Sequence, residues 1–188
     1  MQIIPGSVTL KDLQSIFMND LPVKLCPTTR KKIDQSAILV REASSSGIPI
    51  YGINTGFGKL ATKTIGFRDI EKLQRNLILS HCSGVGTPIT QKMVRFIMVL
   101  KLLSLGRGAS GVRWELCQLL EGMLEHGVLP VIPSQGSVGA SGDLAPLAHM
   151  SAAMIGEGTA SYKGKLMPAR EALICAGLSP IKLGPKEG

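Results

Sequence analysis

Apolar residues recur at helical spacing along most of this chain. Ile70, Leu73, Leu77 and Ile78 share one face between Arg68 and Ser83, which predicts a helix there. From Thr90 to Leu105 the chain is apolar nearly all round, the pattern of a central helix. Val112 to His126 is amphipathic and meets a stop at Gly127. Near the start, residues 1–20 read as a short strand, a turn at Pro5-Gly6 and a small helix. Ser7 or Thr9 caps that helix, and Leu10, Leu13, Ile16 and Phe17 form its apolar face. Pro27-Thr28-Thr29 opens another helix over 28–46, with Ile33, Ala37 and Val40 inward, and the SSSG run at 44–47 closes it. Two glycine-rich loops, 48–62 and Pro130 to Gly142, interrupt the helices, and a small-residue helix runs from Leu144 to Ile155. TASYKGKLMP predicts a β-hairpin near 159–167 turning at Lys163-Gly164, and Ala169 to Ala176 is a last helix stopped by Gly177. The pattern is mainly α with short strands, and shows no internal repeat.

Composition narrows the functional classes. The 188 residues are 44% hydrophobic and 18% charged, too apolar for disorder and long enough to bury a core. The longest apolar stretch, Met93 to Leu105, is broken by Arg95 and Lys101 and falls short of the ~20 residues of a membrane span. The first residues lack a basic segment leading into an apolar run, so a secretory signal is not expected and a cytoplasmic location is favoured. Cys26, Cys82, Cys117 and Cys175 are too scattered for a metal site or a disulfide framework and read as reduced thiols, mostly buried. The net charge of +8 comes from dispersed residues, of which Arg30-Lys31-Lys32 is the densest run. With aromatics at 4%, a solvated surface fits better than a nucleic-acid partner.

The glycine loops carry the candidate chemistry. Neither YGINTGFGKL nor GSVGASGDLAP has the spacing and setting of a phosphate-binding loop or a dinucleotide fold. In the second loop, Ala140-Ser141-Gly142 is followed at once by Asp143. In a compressed backbone the Gly142 nitrogen can attack the Ala140 carbonyl and lose water to close a five-membered ring. Loss of the Ser141 hydroxyl as a second water then leaves an exocyclic methylene, an electrophile made only of protein atoms. By composition alone such small-residue loops are ordinary turns.

The segment GSVGASGDLAPLAHM resembles the cofactor-forming motif of the aromatic amino acid ammonia-lyase family. YGINTGFGKLA at 51–61, LQRNLILSHCSGVG at 73–86, RGASGVR at 107–113 and the MIGEGTASYKGK hairpin are similar in order and spacing. The resemblance spans essentially the whole chain. It implies that Ala140, Ser141 and Gly142 become 4-methylidene-imidazol-5-one, with Asp143 supporting the cyclisation and, in the local reading, capping the helix that starts at Leu144. It implies that Tyr51 is the base removing the substrate's β-proton, a task suited to a loop closing over an electropositive pocket. The local reading of Tyr51 is a packing aromatic at a strand end. Asn54 orders its loop and Gly58 permits close approach. Ser80-His81 resembles the pattern of the family's histidine-acting members, so His81 reads the substrate side chain, while His126 and His149 are structural.

The implied reaction is elimination of ammonia from L-histidine to trans-urocanate, with neither pyridoxal phosphate nor metal. Tyrosine or phenylalanine ammonia-lyase and aminomutase activities remain alternatives within the family, and a non-catalytic helical interaction module is one outside it. Family members are much longer and act as homotetramers, so residues 1–188 correspond to the N-terminal, cofactor-forming portion of a large helical-bundle lyase, without its C-terminal helices. That implies an inactive chain, a ring left unformed for want of surrounding packing, and self-association or instability through the uncovered Thr90–Leu105 helix. No nucleic acid or membrane partner is expected.

Overall fold

The computed structural model of the chain describes residues 1–56, 63, 65–137 and 142–188. Gln2–Ile3 (β1) pairs in parallel with Lys24–Leu25 (β2). Between them Leu10–Asn19 (α1) starts in a capping box: Thr9 Oγ1 accepts from the Asp12 amide, and the Asp12 carboxylate accepts from the Thr9 amide at 2.8 Å. Hydrogen bonds from the Thr9 amide and the Thr9 hydroxyl to its carboxylate hold the Asp12 carboxyl below its usual range. Ile16 is buried, but Leu10 is 84% exposed, contrary to the periodicity. Leu10 is the first helical residue, whereas α1 engages its neighbours further along, where Phe17 meets Phe96 edge-on at 5.1 Å.

A 3-10 turn over Pro27–Thr29 leads into Arg30–Ser45 (α2), so the regular helix begins after the proline turn. Its serine tail ends it by folding hydroxyls back: Ser44 donates to the Arg41 carbonyl at 2.7 Å and Ser46 to that of Ala43 at 2.8 Å. Phe67–His81 (α3), Gln91–Gly106 (α4) and Trp114–His126 (α5) follow, with Thr90 capping α4 and Gly127 ending α5 in the left-handed region. Val85–Pro88 (β3) pairs antiparallel with Pro133–Gln135 (β5). Leu129–Pro130 (β4) extends the hairpin of Thr159–Tyr162 (β6) and Lys165–Pro168 (β7) into a three-stranded sheet. The hairpin turns at Lys163-Gly164, both with positive φ. Leu144–Met154 (α6) and Ala169–Cys175 (α7) complete the fold. The Pro130–Gly142 stretch, expected as loop, therefore contains β5 and the end of β4, each made only by pairing with a distant strand.

The main core lies between α4 and α5, where Met98, Leu102, Leu120 and Met123 are fully buried. The hairpin and α7 add Ala160, Ala172 and Leu173 to it. Val94, Val99 and Leu105 of α4 are also buried, whereas Met93 and Leu100 on the same helix are 48% and 41% exposed, so the chain's own elements cover α4 in part. Arg95 projects from α4 to the carbonyls of Asp20, Leu21 and Leu124, tying the end of α1 to α5. Of the thiols only Cys117 is buried, and burial pushes it up to about 12; Cys26 and Cys82 are half-buried and Cys175 is exposed. Among the described residues no helix is long and apolar enough to cross a membrane.

The RGASGVR segment shows why glycine is needed where α4 gives way to α5. Gly108 has φ +69°, and a Cβ there would lie 2.8 Å from the Lys32 carbonyl carbon and 3.0 Å from the Ile33 nitrogen. Those are backbone atoms of α2, which cannot turn aside as a side chain can. Gly108→Ala is expected to destabilise the chain by about 1–3 kcal/mol from backbone strain alone, read from urea unfolding midpoints. An unchanged midpoint would show that α2 moves freely.

Candidate active site

Tyr51 stands on a turn built around Asn54. The Asn54 side chain is almost wholly buried: Oδ1 accepts from the Ile50 amide at 2.7 Å and Nδ2 donates to the Ile48 carbonyl at 2.9 Å. Its backbone carbonyl accepts from Ile65 at 2.8 Å, and the Gly56 amide donates to Lys63. Both ends of this stretch are thereby held together. Gly58 lies outside the described residues. Tyr51 lies in a turn and is 64% exposed, which does not fit an aromatic packed at a strand end.

His81 is the last residue of α3. Its Nδ1 lies 2.8 Å from the Leu77 carbonyl oxygen. A carbonyl only accepts, so Nδ1 carries the proton, and in the neutral ring Nε2 keeps a lone pair. Tyr51 and His81 both line a cavity of about 510 Å3 bounded by α3, α4, α5, α6 and the segment after α7. Leu144, at the start of α6, is part of its wall. Ala140 and Ser141 lie outside the described residues, while Gly142 has φ +89° and, among the described residues, nothing within 4 Å of the place a Cβ would take.

Asp143 occupies the N-cap position of α6 but does not cap it with its side chain. Its carboxylate accepts instead from the Ser137 hydroxyl, linking the two sides of the segment that contains the triad. Backbone geometry accounts for the difference. With φ −88° and ψ 63°, Asp143 departs from the extended conformation that aims a cap at the first helical amides.

Sequence patterning left several neighbours of this site unassigned. Lys101 and Lys186 line the cavity, and burial lowers the Lys101 pKa. The sequence signal for Lys101 is a charge within the apolar second half of α4. His149, on α6, accepts at Nε2 from the Gly84 amide at 3.1 Å, across 65 residues. Burial pushes its pKa down, which suits an acceptor nitrogen. Glu187 also lines the cavity, but its carboxylate is occupied by Arg113.

A family model described as aromatic amino acid lyase matches residues 8–188. The chain belongs to the aromatic amino acid lyase family. Its fold is that of the family's helical members. An ergothionase from Treponema denticola is 32% identical with a TM-score of 0.93, and the match covers 100% of this chain and 38% of that one. A phenylalanine aminomutase of Pantoea agglomerans is 30% identical, TM-score 0.92, with 36% of its chain covered. A histidine ammonia-lyase from Trypanosoma cruzi is 32% identical, TM-score 0.89, again with 36% covered. This lyase-family chain thus spans little more than a third of the length of these relatives, and they act on different substrates by their names.

Proposed function

We propose that residues 1–188 form the cofactor-forming portion of an ammonia-lyase that converts L-histidine to trans-urocanate through an electrophile built from Ala140, Ser141 and Gly142. The observation that carries this reading is the meeting of Tyr51 and His81 in one cavity whose wall, at Leu144, continues from the triad. The surrounding residues fit the group. Gly142, whose nitrogen would close the ring, already holds a positive-φ backbone conformation that favours glycine, and Asp143 is joined to Ser137 across the segment that contains the triad. Both flanks are anchored within the chain, β5 on β3 and α6 on α3, which supplies packing for closure.

4-Methylidene-imidazol-5-one supplies an electron sink for the substrate's amino nitrogen and so makes ammonia a better leaving group. Tyr51, as the phenolate, takes the β-proton on its oxygen to become the neutral phenol, and the double bond forms as ammonia departs from the α-carbon. Lys101 and Lys186 bring positive charge to the cavity that Tyr51 shares. His81 sets the choice of ring. With Nδ1 engaged by Leu77, Nε2 is the nitrogen left to accept from a substrate, which suits an imidazole N–H. A phenol offers the same kind of donor, so a tyrosine lyase or aminomutase is the second reading; a phenyl ring offers none. The complete enzyme in this reading is a cytoplasmic homotetramer of histidine catabolism. Its remaining length holds the substrate carboxylate, and the 188-residue chain alone does not turn substrate over.

Intact mass tests the electrophile on the chain itself. Because both flanks are packed, the ring is expected to close, a departure from the unformed ring that the family resemblance implied, and a mass two waters below the encoded value is expected. The full encoded mass would overturn closure in this chain and return it to the uncyclised state or to a non-catalytic helical module. For specificity, His81→Phe in the full-length enzyme is expected to lower the histidine-to-phenylalanine ratio of kcat/KM by about a hundredfold or more, since a substrate donor loses its acceptor. An unchanged ratio would remove His81 from substrate reading.

A further inference from the structure

Three segments converge around Gly84 at unusually short range. Gly84 lies three residues beyond His81, and a Cβ on it would sit 3.0 Å from His149 Nε2 and 3.2 Å from the Pro133 Cβ. A Cβ on Gly136 would sit 3.0 Å from both the Gly84 Cα and the Ala145 Cβ. Pro133 lies in β5 and Gly136 directly after it, before the triad in the chain; Ala145 and His149 belong to α6, which follows the triad. Two glycines permit the close approach, and one polar contact gives it direction: the Gly84 amide donating to His149 Nε2 at 3.1 Å. Nε2 accepts only in the neutral ring, with the proton on Nδ1.

We propose that His149 is a positioning residue: by holding the Gly84 amide it fixes the end of α3 that carries His81 against Gly136 and α6, the residues that flank the Ala140–Gly142 segment in the chain. The function of the positioning rests on the ammonia-lyase reading, in which the substrate ring is read at His81 while its amino group reacts at the triad. Apolar packing between α3 and α6, around Ile78 and Ala152, holds the helices together but is non-directional. A directional hydrogen bond beside His81 sets the register, and with it the span between the two ends of a bound amino acid.

The test compares His149→Leu, which removes the acceptor, with His149→Gln, whose amide oxygen restores one, in the 188-residue chain. Amide exchange at Gly84 and the imidazole resonances of His81 are read by NMR. In His149→Leu, Gly84 is expected to exchange about tenfold faster, as for one lost hydrogen bond, and the His81 resonances are expected to move. In His149→Gln both return toward the parent. The proposal is overturned if Gly84 exchange is unchanged in His149→Leu, or if it rises while His81 does not move. Should His149→Leu fail to fold, His149→Gln decides: parental exchange at Gly84 and parental His81 resonances support the proposal, and loss of either overturns it. A chain without the two-water mass loss would remove the proposed chemistry and leave these NMR results standing, so the two failures are distinguishable.

Discussion

Ser141→Ala yields a chain that never reaches a mass two waters below its encoded value, and the full-length enzyme carrying it loses turnover by roughly a millionfold, as when one member of a cooperating catalytic set is removed. Alanine has no hydroxyl to depart as the second water, so no exocyclic methylene forms. Gly142→Ala separates this chemistry from backbone conformation. Among the described residues nothing lies within 4 Å of the Cβ it would add, so the change brings no clash with them. It places a side chain on a residue at φ +89°, a conformation an alanine resists. The expected result is again a chain without the two-water loss, now with the serine hydroxyl still present. Intact mass checks both variants. A two-water loss in Ser141→Ala would mean that the lost waters come from elsewhere.

The second large effect concerns the wall of the cavity. The Glu187 side chain is 1% exposed and accepts from the Arg113 backbone amide at 2.9 Å, Arg113 Nε at 3.0 Å, Nη2 at 2.7 Å and the Gly184 amide at 2.6 Å. The next residue, Gly188, donates to the buried Gln74 Oε1 at 2.7 Å. The segment after α7 is thus fastened to the start of α5 and to α3, and carries Leu183 into the cavity wall. Arg113→Ala leaves the carboxylate buried with only backbone donors. The expected loss is about 3 kcal/mol, the low end for breaking a buried pair because the guanidinium is a third exposed. Urea denaturation measures it. Combining the change with Glu187→Leu is expected to recover part of the loss, since no stranded charge remains. If the double variant is no better than Arg113→Ala, the cost lies in packing instead of charge.

Legibility of the fold followed the range of the forces involved. The hairpin turn at Lys163-Gly164, the stop at Gly127 and the Thr9 cap depend on residues a few positions apart, and they stand where the local pattern put them. Leu10 and Asp143 are the instructive differences. A periodic apolar residue is buried only if a neighbour reaches that turn, and a capping residue caps only if its backbone aims it. Tyr51, His81 and the triad were singled out by motif, but no local pattern indicates that Tyr51 and His81 share a cavity with Lys101.

By itself, then, the sequence determined the helical elements, most turns and the chemical potential of Ala140-Ser141-Gly142, because periodicity, capping and backbone reactivity are properties of neighbouring residues. Tertiary structure alone decided the β3–β5 pairing, the Gly84–His149 contact and the burial of Glu187 against Arg113. Those join positions 65 residues apart in the histidine contact and 74 apart in the ion pair. Hydrogen-bond partners at such separations are chosen by how helices pack around a common core, and nothing in the local order of residues encodes that choice.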